Sequence, residues 1–317
     1  MQPRWSFASA PVLQDNPHNH KIGETPNADR TPGSGLRRRV ARRLAADDAT
    51  YAAVRAAFEE HSVLVFRGHD VSNESQLAFS CRFGPPEITK VGSIGTGTHF
   101  VILTTIGPDG KVAPPDSRLA LRNKANQLWH TDSSFKRVPA LTSILSARII
   151  PANGGETEFV STRLAYDRLN PALRQLADNS FAWHHYAHSR GMIAPDLASE
   201  EERAQLPPVC WRMVWKNPVN GRNALYLASH AYAVEGMQPV VGKKLIDDLT
   251  ATVTAPGLSY VHQWKSGDVV MWDNRATMHR GRPWPAHEAR YMVRTTISAT
   301  EADGLASVRP SFLHAAE

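Results

Sequence analysis

The chain has 317 residues, 42% hydrophobic and 21% charged, the balance of a globular protein with a substantial core. No stretch approaches the roughly eighteen apolar residues that cross a bilayer, and no apolar segment marks a secretory leader. Residues 1–46 hold eight basic and three acidic residues, which accounts for five of the six net positive charges and leaves a nearly neutral body. That argues against a nucleic-acid partner.

Residues 1–45 are Pro-, Gly- and Arg-rich without periodicity and are expected to be a disordered basic tail, with one folded domain over 46–317. Asp47-Asp48 offers an N-cap for a helix carrying Tyr51, Val54 and Phe58. Ser62–Phe66 follows as a buried strand. Asn73-x-x-Gln76 resembles a capping box opening a helix through Phe83, and 100–106 reads as a strand. Further strands are expected at 127–132, 141–150, 156–160, 181–188, 211–216, 223–228, 258–264, 268–273 and 290–298. Helices interrupt at about 162–178 and 239–252. Many short strands with Gly/Pro turns imply a sandwich or a double-sheet jelly roll. Cys81 and Cys210 form no Cys-x-x-Cys, so a reducing, cytoplasmic setting is expected. No oligomeric state is encoded legibly, and a homo-oligomer is compatible with the sequence.

His130 and Asp132 are two residues apart. On a strand, that spacing turns both side chains to one face. With a distant His279 they make the two-imidazole, one-carboxylate set of non-heme Fe(II) oxygenases, which leaves coordination positions open. His-x-Asp alone is weak, and each histidine by itself reads as a satisfied or surface residue. Additional spacings sharpen the signal. Arg290 and Arg294 differ by four and share a strand face, where two guanidiniums are costly to bury without anions. An arginine fork holds a carboxylate bidentately, so the pair suggests a dicarboxylate co-substrate and an anionic substrate in one cavity. Thr157, after Gly154-Gly155, could add a hydrogen bond to the carboxylate on Arg290. Asn126, Lys90, His185 and Arg190 are further pocket candidates. Asn126 shares the metal-facing side if its strand extends that far, and Lys90 lies in a Gly-rich stretch that reads as a mobile loop.

These residues resemble the TauD/TfdA family of Fe(II)/2-oxoglutarate-dependent oxygenases over residues 46 to 300. The resemblance is carried by Trp129-His130-Thr131-Asp132, Gly154-Gly155-Glu156-Thr157, Trp272-Asp273-Asn274, His279-Arg280-Gly281 and the Arg290/Arg294 pair. The stretches Ser62–Gly68, Ala125–Phe135 and Val270–Arg275 are most similar to the phenoxyacetate-herbicide branch. The resemblance implies a mainly β double-stranded β-helix (jelly roll) with flanking helices. It implies Fe(II) on His130, Asp132 and His279, 2-oxoglutarate on Arg290 and Thr157, and a small anionic substrate on Arg294, with Asn126, Lys90 and His185 nearby. Dioxygen would be consumed, and an aryloxyacetate would be cleaved to a phenol and glyoxylate. A taurine or alkylsulfonate dioxygenase is the alternative within the family, and a non-catalytic jelly-roll metal-binding protein is the alternative outside it. One departure stands out. Where the family opens with a strand, this chain has the Arg-dense Ser34–Leu44, a poor buried strand.

Overall fold

A computed structural model describes residues 47–69 and 71–311. The expected tail and the Arg-dense stretch lie outside the described residues. The first eight strands are β1 (Val63–Phe66), β2 (Val101–Thr104), β3 (Ala140–Ile149), β4 (Thr157–Ser161), β5 (Phe181–His184), β6 (Val209–Arg212), β7 (Val214–Lys216) and β8 (Asn223–Leu225). They are followed by β9 (Ala231–Val234), β10 (Ser259–His262), β11 (Val269–Asp273), β12 (Thr277–Gly281) and β13 (Tyr291–Ser298).

An antiparallel five-stranded sheet runs β1-β11-β3-β13-β2, and a three-stranded sheet runs β10-β4-β12. Strands β3 and β11 are buried along nearly their whole length, as expected where sheet faces are covered on both sides. Between the two sheets, Val65, Leu145, Val270, Trp272 and Met292 from the larger pack against Phe159 from β4. The rings of Phe159 and Trp272 lie 5.5 Å apart. The other face of the larger sheet is covered by the helices at 48–61 and 73–81, through Phe58, Phe79 and Phe83. No helix among the described residues is long and apolar enough to cross a membrane.

Several expected elements are displaced. The proposed capping box at Asn73 is not formed. Ser72 caps that helix by accepting from Ser75 N, while Gln76 is buried and donates to the carbonyls of Ile144 and Val293. The expected helix at 162–178 is two helices, Thr162–Arg168 and Pro171–Asn179, because Pro171 cannot continue the first. The expected strand at 181–188 ends at His184, and a short helix, Tyr186–Gly191, begins two residues later. The largest departure falls on 127–132, which is not a strand.

Candidate metal centre and adjoining cavity

The three expected metal ligands reach one point by a different local route from the one their spacing suggests. His130 makes only an isolated antiparallel bridge to His279: each backbone N–H donates to the other's carbonyl, at 3.0 and 2.8 Å. His279 lies on β12, which hydrogen-bonds to β4. The bridge sets the two imidazoles side by side, ring centroids 4.2 Å apart. After Asp132 the chain turns sharply, with Ser133 in the left-handed region at φ 55°. Asp132 lies where the chain leaves that bridge for the turn, its carboxylate toward the imidazoles while the Thr131 hydroxyl donates to the Asn274 carbonyl.

All three residues are buried, and one ligand atom from each lies within 4.8 Å of the others. His130 Nδ1 is held by the Leu128 carbonyl at 2.7 Å, which turns Nε2 toward Asp132. Nε2 of His279 faces the same carboxylate at 3.7 Å. Burial first, and the neighbouring imidazole second, holds His279 well below its usual pKa; burial likewise lowers His130. Burial opposes ionisation of Asp132, but Arg294, His279 and His130 together outweigh it, so its pKa falls below the ordinary carboxylate range. Two neutral imidazoles and one ionised carboxylate are the protonation states a divalent cation requires, so the donor set fits a metal.

The residues behind Asp132 explain the Trp272-Asp273-Asn274 motif. Asn274 Oδ1 accepts from the backbone N–H of Asp132 at 3.1 Å and from Trp272 Nε1 at 3.1 Å. Its Nδ2 donates to Ser143 Oγ, which in turn donates to Asp132 Oδ2 at 2.7 Å. Outer partners of this kind orient a metal ligand and typically contribute ten- to hundredfold in affinity. Replacing Asn274 by alanine should therefore weaken Mn(II) binding by about that factor, read by calorimetric titration; unchanged affinity would mean that the turn holds itself.

Arg290, immediately before β13, is only 7% exposed and has no carboxylate partner among the described residues. Its Nε is buried without a hydrogen-bond partner, and its guanidinium carbon lies 4.9 Å from the centroid of the Trp284 ring. Burial pulls its pKa down to about 10. It lines a small cavity with Thr157, Asn126, His130, His279 and Arg294. Thr157 Oγ1 accepts from Trp264 Nε1 at 3.0 Å, which fixes the hydroxyl. A buried, uncompensated guanidinium beside a metal site is a receptor for an anion.

A larger cavity of about 410 Å³ adjoins this one and shares Asn126, His130 and Arg294 with it. Arg294 forms an ion pair with Asp132. Asn126 ends the helix Arg118–Ala125 rather than lying on a strand, and its carbonyl accepts from Gly281 N at 2.9 Å. Lys90 also lines the larger cavity, but its loop is tied down: Nζ donates to the fully buried Glu202 at 2.5 Å. The structure places His185 away from the cavity. Its N–H donates to the His230 carbonyl, and its ring faces Tyr232. The position expected for it is taken by His230, whose ring lies 4.7 Å from Phe135 and 6.3 Å from His130. Neither His230 nor Glu202 stands out in sequence. The first carries no recognisable spacing, and the second reads as the N3 residue of a capping box on Ser199, which it also is.

The burial of so many neutral histidines has a pH signature. His184, pushed down to about 3 by burial, joins His130, His230, His262 and His279 with lowered values. Below the ordinary value of about 6.5, the unfolded chain binds protons that the folded one refuses, so stability falls as pH drops. The denaturant midpoint of metal-free protein should be lower at pH 5.5 than at pH 7.5. An unchanged midpoint would place these rings in water. Asp132 titrates below this window and does not contribute to it.

A two-histidine, one-carboxylate cluster between antiparallel sheets, with an anion receptor beside it, is the arrangement of a non-heme metal oxygenase. Residues 29–296 match the family model of taurine catabolism dioxygenase TauD, TfdA family. The chain belongs to this family and is a 2-oxoglutarate-dependent dioxygenase with a His-Asp-His metal site. It is 40% identical over 243 residues to the alpha-ketoglutarate-dependent 2,4-dichlorophenoxyacetate dioxygenase of Cupriavidus pinatubonensis, covering 75% of this chain and 85% of that protein. It is 31% identical to the (S)-phenoxypropionate/alpha-ketoglutarate-dioxygenase of Delftia acidovorans, covering 83% of this chain and 91% of the relative. Among solved structures, AAD-2 in complex with Mn(II) and N-oxalylglycine is 38% identical. It has a TM-score of 0.75 and matches over 81% of this chain and 92% of that one.

Proposed function

We propose that the protein cleaves aryloxyalkanoates by hydroxylating the carbon next to the ether oxygen. The observation that carries this reading is the juxtaposition of the His130–Asp132–His279 cluster with the unpaired, buried Arg290, in a chain 40% identical to a 2,4-dichlorophenoxyacetate dioxygenase. His130, Asp132 and His279 would hold Fe(II), and Arg290 with the Thr157 hydroxyl would hold the distal carboxylate of 2-oxoglutarate. Together the metal and its co-substrate supply an oxidant from dioxygen, with 2-oxoglutarate leaving as succinate and carbon dioxide. Arg294 and Asn126, lining both cavities, contact the substrate, and the cavity wall shields the reacting carbon from water. From an aryloxyacetate the hydroxylated product is a hemiacetal, which collapses to a phenol and glyoxylate.

The two packed antiparallel sheets support assignment of the core as a double-stranded β-helix, in one domain over 46–317, and we place the enzyme in the cytoplasm. The decisive assay is iron- and 2-oxoglutarate-dependent phenol release from phenoxyacetates; active, metal-loaded protein that released none would refute the substrate class. Sulfite release from taurine, measured in parallel, tests the less supported sulfonate alternative.

A further inference from the structure

We propose that Arg190 anchors the anionic group of the substrate and supplies the net charge that selects for it. This rests on the reading that the larger cavity takes a small organic anion. Six basic residues line that cavity: Lys90, Arg118, Arg122, Lys136, Arg190 and Arg294. Apart from Arg190, each has a carboxylate within reach, Lys90 and Arg122 sharing one. Lys90 and Arg122 pair with Glu202 at 2.5 and 3.3 Å, Arg118 with Asp196 at 3.7 Å, Lys136 with Glu87 at 2.5 Å, and Arg294 with Asp132. Arg190 alone has no carboxylate partner among the described residues, and its Nε is buried without a hydrogen-bond partner.

Its placement is fixed rather than loose. The guanidinium carbon lies 4.6 Å from the centroid of the Tyr186 ring, one helical turn away. That ring is itself held: its hydroxyl donates to Glu202 at 3.2 Å, Lys90 Nζ lies 4.3 Å from the same centroid, and Phe135 packs at 5.0 Å. Arg190 lines the same cavity as His130 and His230. A packed guanidinium has already lost much of its conformational freedom, and its uncompensated charge carries a desolvation cost that a bound oxyanion relieves. Arg290 shows the same two properties in the co-substrate cavity. Arg294, which shares Asp132 with the metal cluster, also meets the substrate, whereas Arg190 adds a charge that no carboxylate shares. The ligand class is a single oxyanion, carboxylate or sulfonate, on a body flat enough to lie against Phe135 and Tyr186.

Calorimetric titration of the full chain loaded with Mn(II) and N-oxalylglycine tests this, using phenoxyacetate, hexanesulfonate and the neutral phenoxyacetamide. Arg190→Gln should weaken whichever anion the native protein binds by about ten- to hundredfold and leave the amide within about twofold. Arg190→Lys should recover part of the loss, and Arg118→Gln should change little. Arg190→Met, which keeps the packing on Tyr186, gives the same reading should the glutamine variant not fold. Anion affinity unchanged in both variants, equal weakening of the amide, or no anion binding by the native protein would each overturn the proposal. Arg190-dependent sulfonate binding without phenol release from phenoxyacetate would defeat the aryloxyalkanoate reading and leave Arg190 as the anchor.

Discussion

Replacing Asp132 by alanine should abolish succinate formation and leave the purified protein without tightly held metal. The carboxylate is 4% exposed and lies at the centre of the cluster, with Arg294, Ser143 and both imidazoles directed at it. Removing one partner of a buried charge pair costs about 3–5 kcal/mol, because the other charge is left uncompensated. The metal-free variant should therefore also unfold at lower denaturant. Asp132→Asn separates the two effects. It keeps the shape and can still meet Ser143, so most of the fold survives, but it offers a metal a neutral donor. Turnover should fall by at least about two to three orders of magnitude, equivalent to roughly 3–4 kcal/mol. Retention of a tenth of native turnover by Asp132→Asn would remove this residue from the metal site.

Arg290→Gln should raise the KM for 2-oxoglutarate by roughly two orders of magnitude, the worth of a buried, charge-assisted bidentate contact of about 3 kcal/mol. Lysine should restore little of this, since a point charge does not reproduce the fork. Stability should move the opposite way. In the absence of a ligand, Arg290 is a buried charge with no carboxylate partner among the described residues, lying against Trp284. Neutralising it removes a desolvation cost, so the metal-free, co-substrate-free variant should melt higher than native protein. Native stability would then overtake it as 2-oxoglutarate is added with metal, because ligand binding stabilises the folded state by mass action. Lower stability of Arg290→Gln under ligand-free conditions would show that the guanidinium has a structural partner.

The sequence made the chemistry legible earlier than the geometry. His130, His279, Thr157, Arg290 and Arg294 do line one hollow, and Asp132 joins the two imidazoles at its edge; each belongs to a spaced motif, which is why they could be picked out. The strand expected at 127–132 shrinks to a single bridge at His130, yet His130 and Asp132 do meet, with Thr131 directed elsewhere. Beyond Asp132 the left-handed Ser133 turn leaves no periodicity to read. Asn126 reaches the cavity for a similarly different reason, from a helix end. His185 could not be told from His230, since which imidazole faces a cavity depends on where β5 stops and the next helix begins. The partners that restrain Lys90 were equally hidden: Glu202 lies more than a hundred positions downstream, and only the folded chain shows that it is buried.

The Asp132–Arg294 ion pair gives the order in which the site fills. A cation drawing on that carboxylate loosens its grip on the guanidinium, which is then free to engage a newcomer in the larger cavity. Thermodynamic reciprocity requires the converse: an acid seated on Arg294 makes Asp132 a better ligand. With the substrate held as proposed, its binding would tighten the enzyme's hold on its own metal, and an enzyme without metal would keep its door to that substrate half shut.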